Sequence, residues 1–362
     1  MSIFSLVMIS MVLAAPEGKL AYVAGMEQEG QQAKVLDISS GNSIAVGFGN
    51  QDGAPIWSPD GRWLAFETHT QEGYLIAVCR EDGAERRVLK NQADWNRGPR
   101  WDPEGKRLVY EADLESGKAA MVYDLATDTE TRWGKEDAPI LQPLWLPTTG
   151  LMKAMNPEDK ASPAAAALFV LSEEAEKHGV LLACAIKGTP GNLSTEPVLV
   201  TPTQVVPMLP LVSKDTGRYR EWALAADRKG RQIAYESNDG GDREIYVLGK
   251  RGVANVSNHF SADWNPVWSA DGQWLLFESF RNGRRGVYKA LVGTANVTPV
   301  MVSEEYDCWA PVWAPKDKWV AYVSEKEGVP QIFASLPDGK EAVQLTHETG
   351  YALAPAWQPV SH

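Results

Sequence analysis

Carboxylates and indoles recur side by side in this chain. Asp94-Trp95-Asn96, Asp263-Trp264-Asn265 and Asp307-Cys308-Trp309 each stand just before an apolar, strand-like run, and Glu67, Glu111, Glu236 and Glu278 each close one. A carboxylate next to an indole sets a negative charge beside an electron-rich ring face. That pairing suits a basic peptide segment, a metal ion, or a sugar stacked on the ring. The plainer role for such an Asp is to accept backbone N–H bonds and fix a loop, since polar groups near buried strands are normally hydrogen-bonded. Whether these residues converge on one site depends on the elements that carry them.

Those elements repeat. Ile56–Thr68, IWSPDGRWLAFET, returns as RWDPEGKRLVYEA from Arg100, VWSADGQWLLFES from Val267 and VWAPKDKWVAYVS from Val312. Trp57, Trp101 and Trp145, and again Trp268, Trp313 and Trp357, follow each other at about 44 residues, the length of a four-stranded propeller blade. Each copy reads as a hairpin. An apolar strand ends at the Trp, Ser58-Pro59-Asp60-Gly61 forms a tight turn, and Trp63-Leu64-Ala65-Phe66 begins the next strand. A third strand recurs as EIYVLG (Glu244–Gly249), GVYKAL (Gly286–Leu291) and QIFASL (Gln331–Leu336), and a short fourth ends the unit, as in Ala342–Thr346.

The expected fold is all-β: a propeller of seven four-stranded blades, with six as the alternative. Second strands are marked by Tyr22, Phe66, Tyr110, Phe169, Tyr235, Phe277 and Tyr322. Leu20–Ala24 lacks a Trp strand before it, and Pro355-Ala356-Trp357 lacks a partner after it. The chain ends are therefore expected to share one blade and close the ring, which removes exposed sheet edges. Blade four is irregular. After Trp145 a spacer with Pro157, Glu158 and Asp159 runs to Ala167, ALFVL is read as the second strand, VLLACAI and PVLVTP as the third and fourth, and Pro207–Val212 as the first strand of blade five. One domain, 16–362, follows from a repeat that fills the chain.

At this point a family resemblance is carried by Asp263-Trp264-Asn265-Pro266-Val267-Trp268-Ser269-Ala270-Asp271-Gly272, followed by an aromatic strand and by Ile245-Tyr246-Val247 and its counterparts. The pattern resembles TolB-type, or WD40-like, propeller repeats over nearly the whole chain. The resemblance implies the propeller fold. For function it implies a periplasmic Tol–Pal component, another exported binding protein, or the gating propeller of a prolyl-oligopeptidase-type enzyme. The repeat is expected to fill the sequence without the separate N-terminal α/β domain of TolB itself, a departure from the family pattern that bears on a literal Tol–Pal role.

Composition narrows the field. A net charge of −12 without a Lys/Arg-rich run argues against nucleic acid as a partner. Met1–Ala15 is apolar and uncharged, reads as an export signal ending in small residues, and is too short to span a membrane, a task that takes about 20 residues. A periplasmic or secreted location is therefore expected. No Gly-x-Ser-x-Gly elbow occurs, so a serine hydrolase domain has no support. The rival reading is a metal-dependent polysaccharide lyase of the oligogalacturonide type, or another propeller hydrolase. It would draw on His69, His259 and His347, which the blade map places on one face, whereas an isolated loop His is more often a solvated residue. Cys79 and Cys184 map to third strands of non-neighbouring blades and, with Cys308, read as buried thiols.

If strands alternate up and down, the Pro-Asp-Gly hairpins occupy one face and the loops after second and fourth strands the other. The second face then gathers Asp94, Trp95, Asn96, Asp263, Trp264, Asn265, Asp307 and Trp309 with Glu67, Glu111, Glu236 and Glu278 around the channel mouth. The expectation is a non-catalytic scaffold without metal or cofactor. It would bind a protein or peptide there, preferably a basic one, with carbohydrate as a further option.

Overall fold

A computed structural model describes residues 15–26, 30–49, 51–89, 93–147, 171, 173–189, 192–208, 221–238, 241–249 and 252–360. The apolar start, the spacer after Pro147 up to residue 170, and His362 lie outside them. Seven four-stranded antiparallel sheets follow one another around a ring. Blade 1 pairs Tyr351–Trp357 with Lys19–Met26, then Gly30–Asp37 and Asn42–Ala45. Blade 2 begins with Ile56–Trp57 and Trp63–Thr70, blade 3 with Asn96–Trp101 and Arg107–Leu114, and blade 4 with Ile140–Leu146 and Val180–Thr189. Blade 5 begins with Glu221–Ala226 and Ile233–Ser237, blade 6 with Asp263–Trp268 and Trp274–Ser279, and blade 7 with Cys308–Trp313 and Val320–Ser324.

Ring closure rebuilds a hairpin without a covalent turn. Leu20 lies opposite Trp357. Gln358 N donates to Lys19 O at 2.9 Å, matching the bonds from Ser58 to Trp63 at 2.8 Å and from Ser269 to Trp274 at 2.9 Å inside intact hairpins. The chain ends thus complete the repeat in the expected register.

Blades are tied to each other by the indoles that mark the repeat. Trp57 Nε1 donates to Ala356 O at 2.9 Å, Trp268 to Ala225 O at 2.9 Å and Trp313 to Val267 O at 3.2 Å, each reaching the inner strand of the preceding blade. The second-strand aromatics Tyr22, Phe66, Tyr110, Tyr235, Phe277 and Tyr322 are all buried. They fill the space between sheets, where near-continuous apolar strands are needed because both faces are covered.

Blade 4 departs from the expected assignment. Val180–Thr189 pairs directly with Ile140–Leu146 and is the second strand rather than the third, Asn192–Val200 is the third, and Val205–Pro207 the fourth. The stretch read as ALFVL ends at Leu171, ahead of helical residues 173–178, and Leu171 and Ala175 pack with Val180 and Leu182. The misreading has a physical cause. Leu144 faces Leu182 as Val267 faces Leu276, so Ala183 occupies the place of Phe277, and the aromatic mark is missing from the true strand. Blade 5 likewise opens with Glu221–Ala226, not Pro207–Val212, and Ala226 stands where Trp268 stands in blade 6. Cys184 accordingly sits on a second strand. All three thiols are buried, and burial pushes Cys79 up to about 12 and Cys308 up to about 11.

Candidate functional site

The inner strands share a kink that organises the channel wall. In six blades the residue preceding, or replacing the one preceding, the motif proline has positive φ: Gly98, Gln142, Ala223, Asn265, Ala310 and Ala354. At each the strand shifts register against its neighbour. A bulge of this kind takes one N–H out of the ladder, and that donor needs an acceptor elsewhere.

The acceptor comes from the preceding blade. Gly98 N donates to Glu67 Oε1 at 2.8 Å, Gln142 N to Glu111 Oε2 at 3.0 Å, Asn265 N to Glu236 Oε1 at 2.6 Å and Ala310 N to Glu278 Oε1 at 3.0 Å. Each of the four glutamates thus clasps the next blade, and Glu67 and Glu111 line one cavity. In blade 4 Cys184 stands opposite Leu141, where Glu111 stands opposite Arg97. Ala223 N turns instead to Gln142 Oε1 at 2.9 Å. Charge-assisted bonds of this type contribute about 1.5–3 kcal/mol each.

Most of these carboxylates also hold an internal cation. Arg97 and Lys118 reach Glu111 at 2.9 and 3.1 Å, and both also reach Asp113. Arg243 lies 3.5 Å from Glu236, Arg281 2.9 Å from Asp263, and Arg284 3.4 Å from Asp307. Arg285 pairs with Glu278 and packs against the rings of both Trp264 and Trp309, at 5.5 and 5.4 Å from their centroids. The cation that an indole–carboxylate site would take is already supplied there by the protein itself.

The Asp-Trp-Asn triplets are not equivalent. Asn96 starts the inner strand of blade 3 as Asp263 does in blade 6 and Cys308 in blade 7, so Asp94 and Trp95 lie outside the strand, at the rim. Asn96 is buried and donates to Tyr74 O and Ala93 O. Trp95 is 48% exposed and stacks on Tyr74 with centroids 4.2 Å apart, and Tyr74 in turn meets His69. Asn265 bonds Glu278 through its amide nitrogen at 2.8 Å. His259 stacks on Phe260 and its Nδ1 accepts from Ser261 N. Among the described residues no three His, Cys, Asp or Glu gather as a metal site. On the hairpin face Asp60 and Asp271 each accept from a neighbouring Ser hydroxyl and a turn N–H, which fixes their own turns.

Sequence reading missed the feature that remains open. A cavity of about 480 Å³ is walled on one side by Arg97, Gly98, Arg100, Lys118, Glu67 and Glu111, and on the other by Leu141, Gln142, Pro143, Leu144, Ala223 and Leu224. It is formed by the inner strands of blades 3, 4 and 5, which places it on the channel wall. Arg100 bonds the carbonyl of Pro99 at 2.9 Å and has no carboxylate within ion-pair distance among the described residues. Its side chain is exposed on the inner strand of blade 3. Arg100 occupies the variable place between the motif proline and tryptophan. That place is apolar in Val267 and Val312, so an arginine there was the available signal.

Residues 218–359 match the TolB beta propeller domain family. The Tol-Pal system protein TolB of Desulfosudis oleivorans is 36% identical over 59 residues, which span 16% of this chain and only 14% of that protein. TolB from Acinetobacter baumannii superposes with a TM-score of 0.56 at 16% identity, covering 94% of this chain and 67% of that one. An oligogalacturonate lyase in complex with manganese gives 0.63 at 14% identity, covering 88% and 86%. Both structural likenesses, at these identities, speak to the fold. The chain is a seven-bladed propeller, and over residues 218–359 it matches the TolB beta propeller domain.

Proposed function

We propose that this chain is a non-catalytic binding module, exported to the periplasm or secreted, that takes a protein or peptide segment at the channel mouth. The observation that carries the reading is the cavity of about 480 Å³ on the wall of blades 3–5. It lies on a rigid scaffold whose surrounding carboxylates are committed to clasping blades and pairing internal cations. Concave surfaces with a few convergent polar groups are where ligands bind. Glu111, Glu236, Glu278, Asp263 and Asp307 already pair with internal cations, which leaves Glu67 and Asp94, among the carboxylates expected on this face, as those that could favour a basic segment. Among the described residues no helix is long and apolar enough to cross a membrane.

The rival reading is a metal-dependent lyase, favoured by the likeness to the manganese-bound oligogalacturonate lyase. Against it, among the described residues no three His, Cys, Asp or Glu gather as a metal site, and His69 and His259 lie in tilted ring contacts with Tyr74 and Phe260. The test is metal analysis of the purified full chain together with an assay on pectic oligomers. No turnover with added manganese is expected. Stoichiometric metal with turnover overturns the binding-module reading. Sequencing the N-terminus of protein recovered from the cell envelope tests export, for which loss of Met1–Ala15 is the expected result.

A further inference from the structure

The Asp–Trp motifs of the channel-mouth face differ in where their cation comes from. At blades 6 and 7 the protein supplies it. Arg285 pairs with Glu278 and lies 5.5 and 5.4 Å from the ring centroids of Trp264 and Trp309, while Asp263 and Asp307 hold Arg281 and Arg284. At the rim between blades 2 and 3 the same residue types are left open. Among the described residues no cation stands over the Trp95 ring, and Asp94 pairs with none. Arg97 and Lys118 on the adjoining strands are committed to Glu111 and Asp113.

The open pair is held in place from both sides. Tyr74 N donates to Asp94 O and Asp113 N to Trp95 O, each at 2.9 Å, which ties the dipeptide to blades 2 and 3. The Asn96 amide adds bonds to Tyr74 O and Ala93 O. The indole stacks on Tyr74, whose hydroxyl donates to Gln51 Oε1 at 3.2 Å. With one ring face covered by Tyr74, Trp95 is still 48% exposed, and Asp94 beside it is exposed as well. An aromatic already immobilised loses little freedom on binding, which is why such residues serve as interface anchors.

A cation over an indole face is attracted by the ring quadrupole, and a neighbouring carboxylate adds a charge pair. A guanidinium answers both, since it is planar, stacks on rings and forks onto carboxylates. Arg285 does this inside the protein. Phe260 and Phe280, 81% and 44% exposed, stand on loops of the same face at blades 5 and 6. Aromatics displayed on both sides of the mouth fit a protein surface laid over it rather than a free small cation.

We propose that Asp94 and Trp95 form a rim site for an arginine side chain of a protein partner that docks over the channel mouth. This deepens the binding-module reading and rests on it.

The test uses the full chain labelled with 5-fluorotryptophan and followed by fluorine NMR, the Trp95 resonance being the one lost in Trp95→Phe. N-acetyl-arginine amide and its uncharged isostere N-acetyl-citrulline amide are titrated at constant ionic strength. The arginine compound is expected to move the Trp95 resonance saturably, with a Kd of about 10–50 mM for one exposed side chain, and to leave the Trp264 resonance in place. The citrulline compound should bind at least about fivefold more weakly. Asp94→Asn should weaken the arginine compound about two- to fivefold with an unchanged melting temperature. Equal shifts from both compounds, no saturable shift up to about 100 mM, or full affinity in Asp94→Asn each overturns the assignment. A saturable shift from cellobiose in place of the arginine compound overturns it in favour of a carbohydrate platform. Failure here leaves the cavity on blades 3–5 as the module's binding place, whereas turnover of pectic oligomers by the same protein refutes the non-catalytic function and leaves the arginine site standing.

Discussion

Two arcs of the same channel wall treat charge in opposite ways. Around blades 6 and 7, Glu278 accepts from Ala310 N and from Asn265, and Arg285 completes the pair between the rings of Trp264 and Trp309. Around blades 3 to 5, the same bulges, clasped by Glu67, Glu111 and, at Ala223, by Gln142, leave a cavity lined by Arg100. The repeat supplies the clasp in both arcs. What differs is the residue at the place before the tryptophan and the presence or absence of an internal partner for the cation. A repeated scaffold can thus be saturated in one sector and left open in another without altering its backbone.

The comparison breaks most readily at Glu278. It is buried and holds three groups, so Glu278→Ala strands the bulge N–H and leaves Arg285 without its counter-charge; a cost of about 3–5 kcal/mol in urea unfolding is expected. A loss below about 1 kcal/mol would show that the closed arc does not depend on the clasp. The indoles come next, and they are not alike. Trp57 and Trp101 are 8% and 9% exposed, while Trp268 and Trp313 are only half-buried. Trp57→Ala should cost about 3–5 kcal/mol, and Trp313→Ala distinctly less. Equal losses would contradict the difference in burial.

The open arc is sharpened by Arg100→Leu. Arg100 is exposed and bonds only a backbone carbonyl, so its replacement should change the stability by less than about 0.5 kcal/mol. A destabilised variant would reveal a structural partner for Arg100 and weaken the case for the open cavity.

The smallest effect is a pH dependence beside the closed arc. Burial raises the Glu244 carboxyl above its ordinary value, with hydrogen bonds from Ser257 and the His259 N–H opposing. Asp263 and Arg281 face the same loop. A carboxyl raised in the folded state is favoured protonated, so its contribution weakens stability as pH climbs from the unfolded to the folded value and stays adverse above it. Blade 7 carries Gln331 in the corresponding place, where its Oε1 accepts from Thr346 Oγ1 and Glu348 N as Glu244 accepts from Ser257 and His259. Glu244→Gln should therefore raise the melting temperature at pH 7 and flatten its fall as pH climbs above the ordinary carboxylate value. An unchanged profile would assign the titration elsewhere.

Much of the fold was legible because the packing demand is local and repeated. Trp57, Trp101, Trp268 and Trp313 with their turns mark hairpins, and the half-repeats at Leu20–Ala24 and Pro355–Trp357 announce ring closure. Blade 4 was misread where that local mark fails: Ala183 fills the aromatic's place, and apolar ALFVL before it satisfied the same pattern. Blade 5 failed likewise at Ala226. The triplets Asp94-Trp95-Asn96 and Asp263-Trp264-Asn265 looked alike, but their offset of two positions relative to the strand puts Trp95 at the rim and Trp264 on the channel wall.

By itself the sequence determined the blade, its number and the closing strand, since strand period, turn chemistry and an aromatic every repeat are properties of one segment and its neighbours in the chain. It also singled out Glu67, Glu111, Glu236 and Glu278 as one recurring position at the end of the second strands. The tertiary structure alone decided what these groups do. The cations Arg97, Lys118, Arg243 and Arg285 are paired within their own blades, whereas each of the four carboxylates meets a donor in the next blade, 29 to 32 positions away. Those pairings depend on how neighbouring blades rotate around the ring, a quantity written in no single repeat.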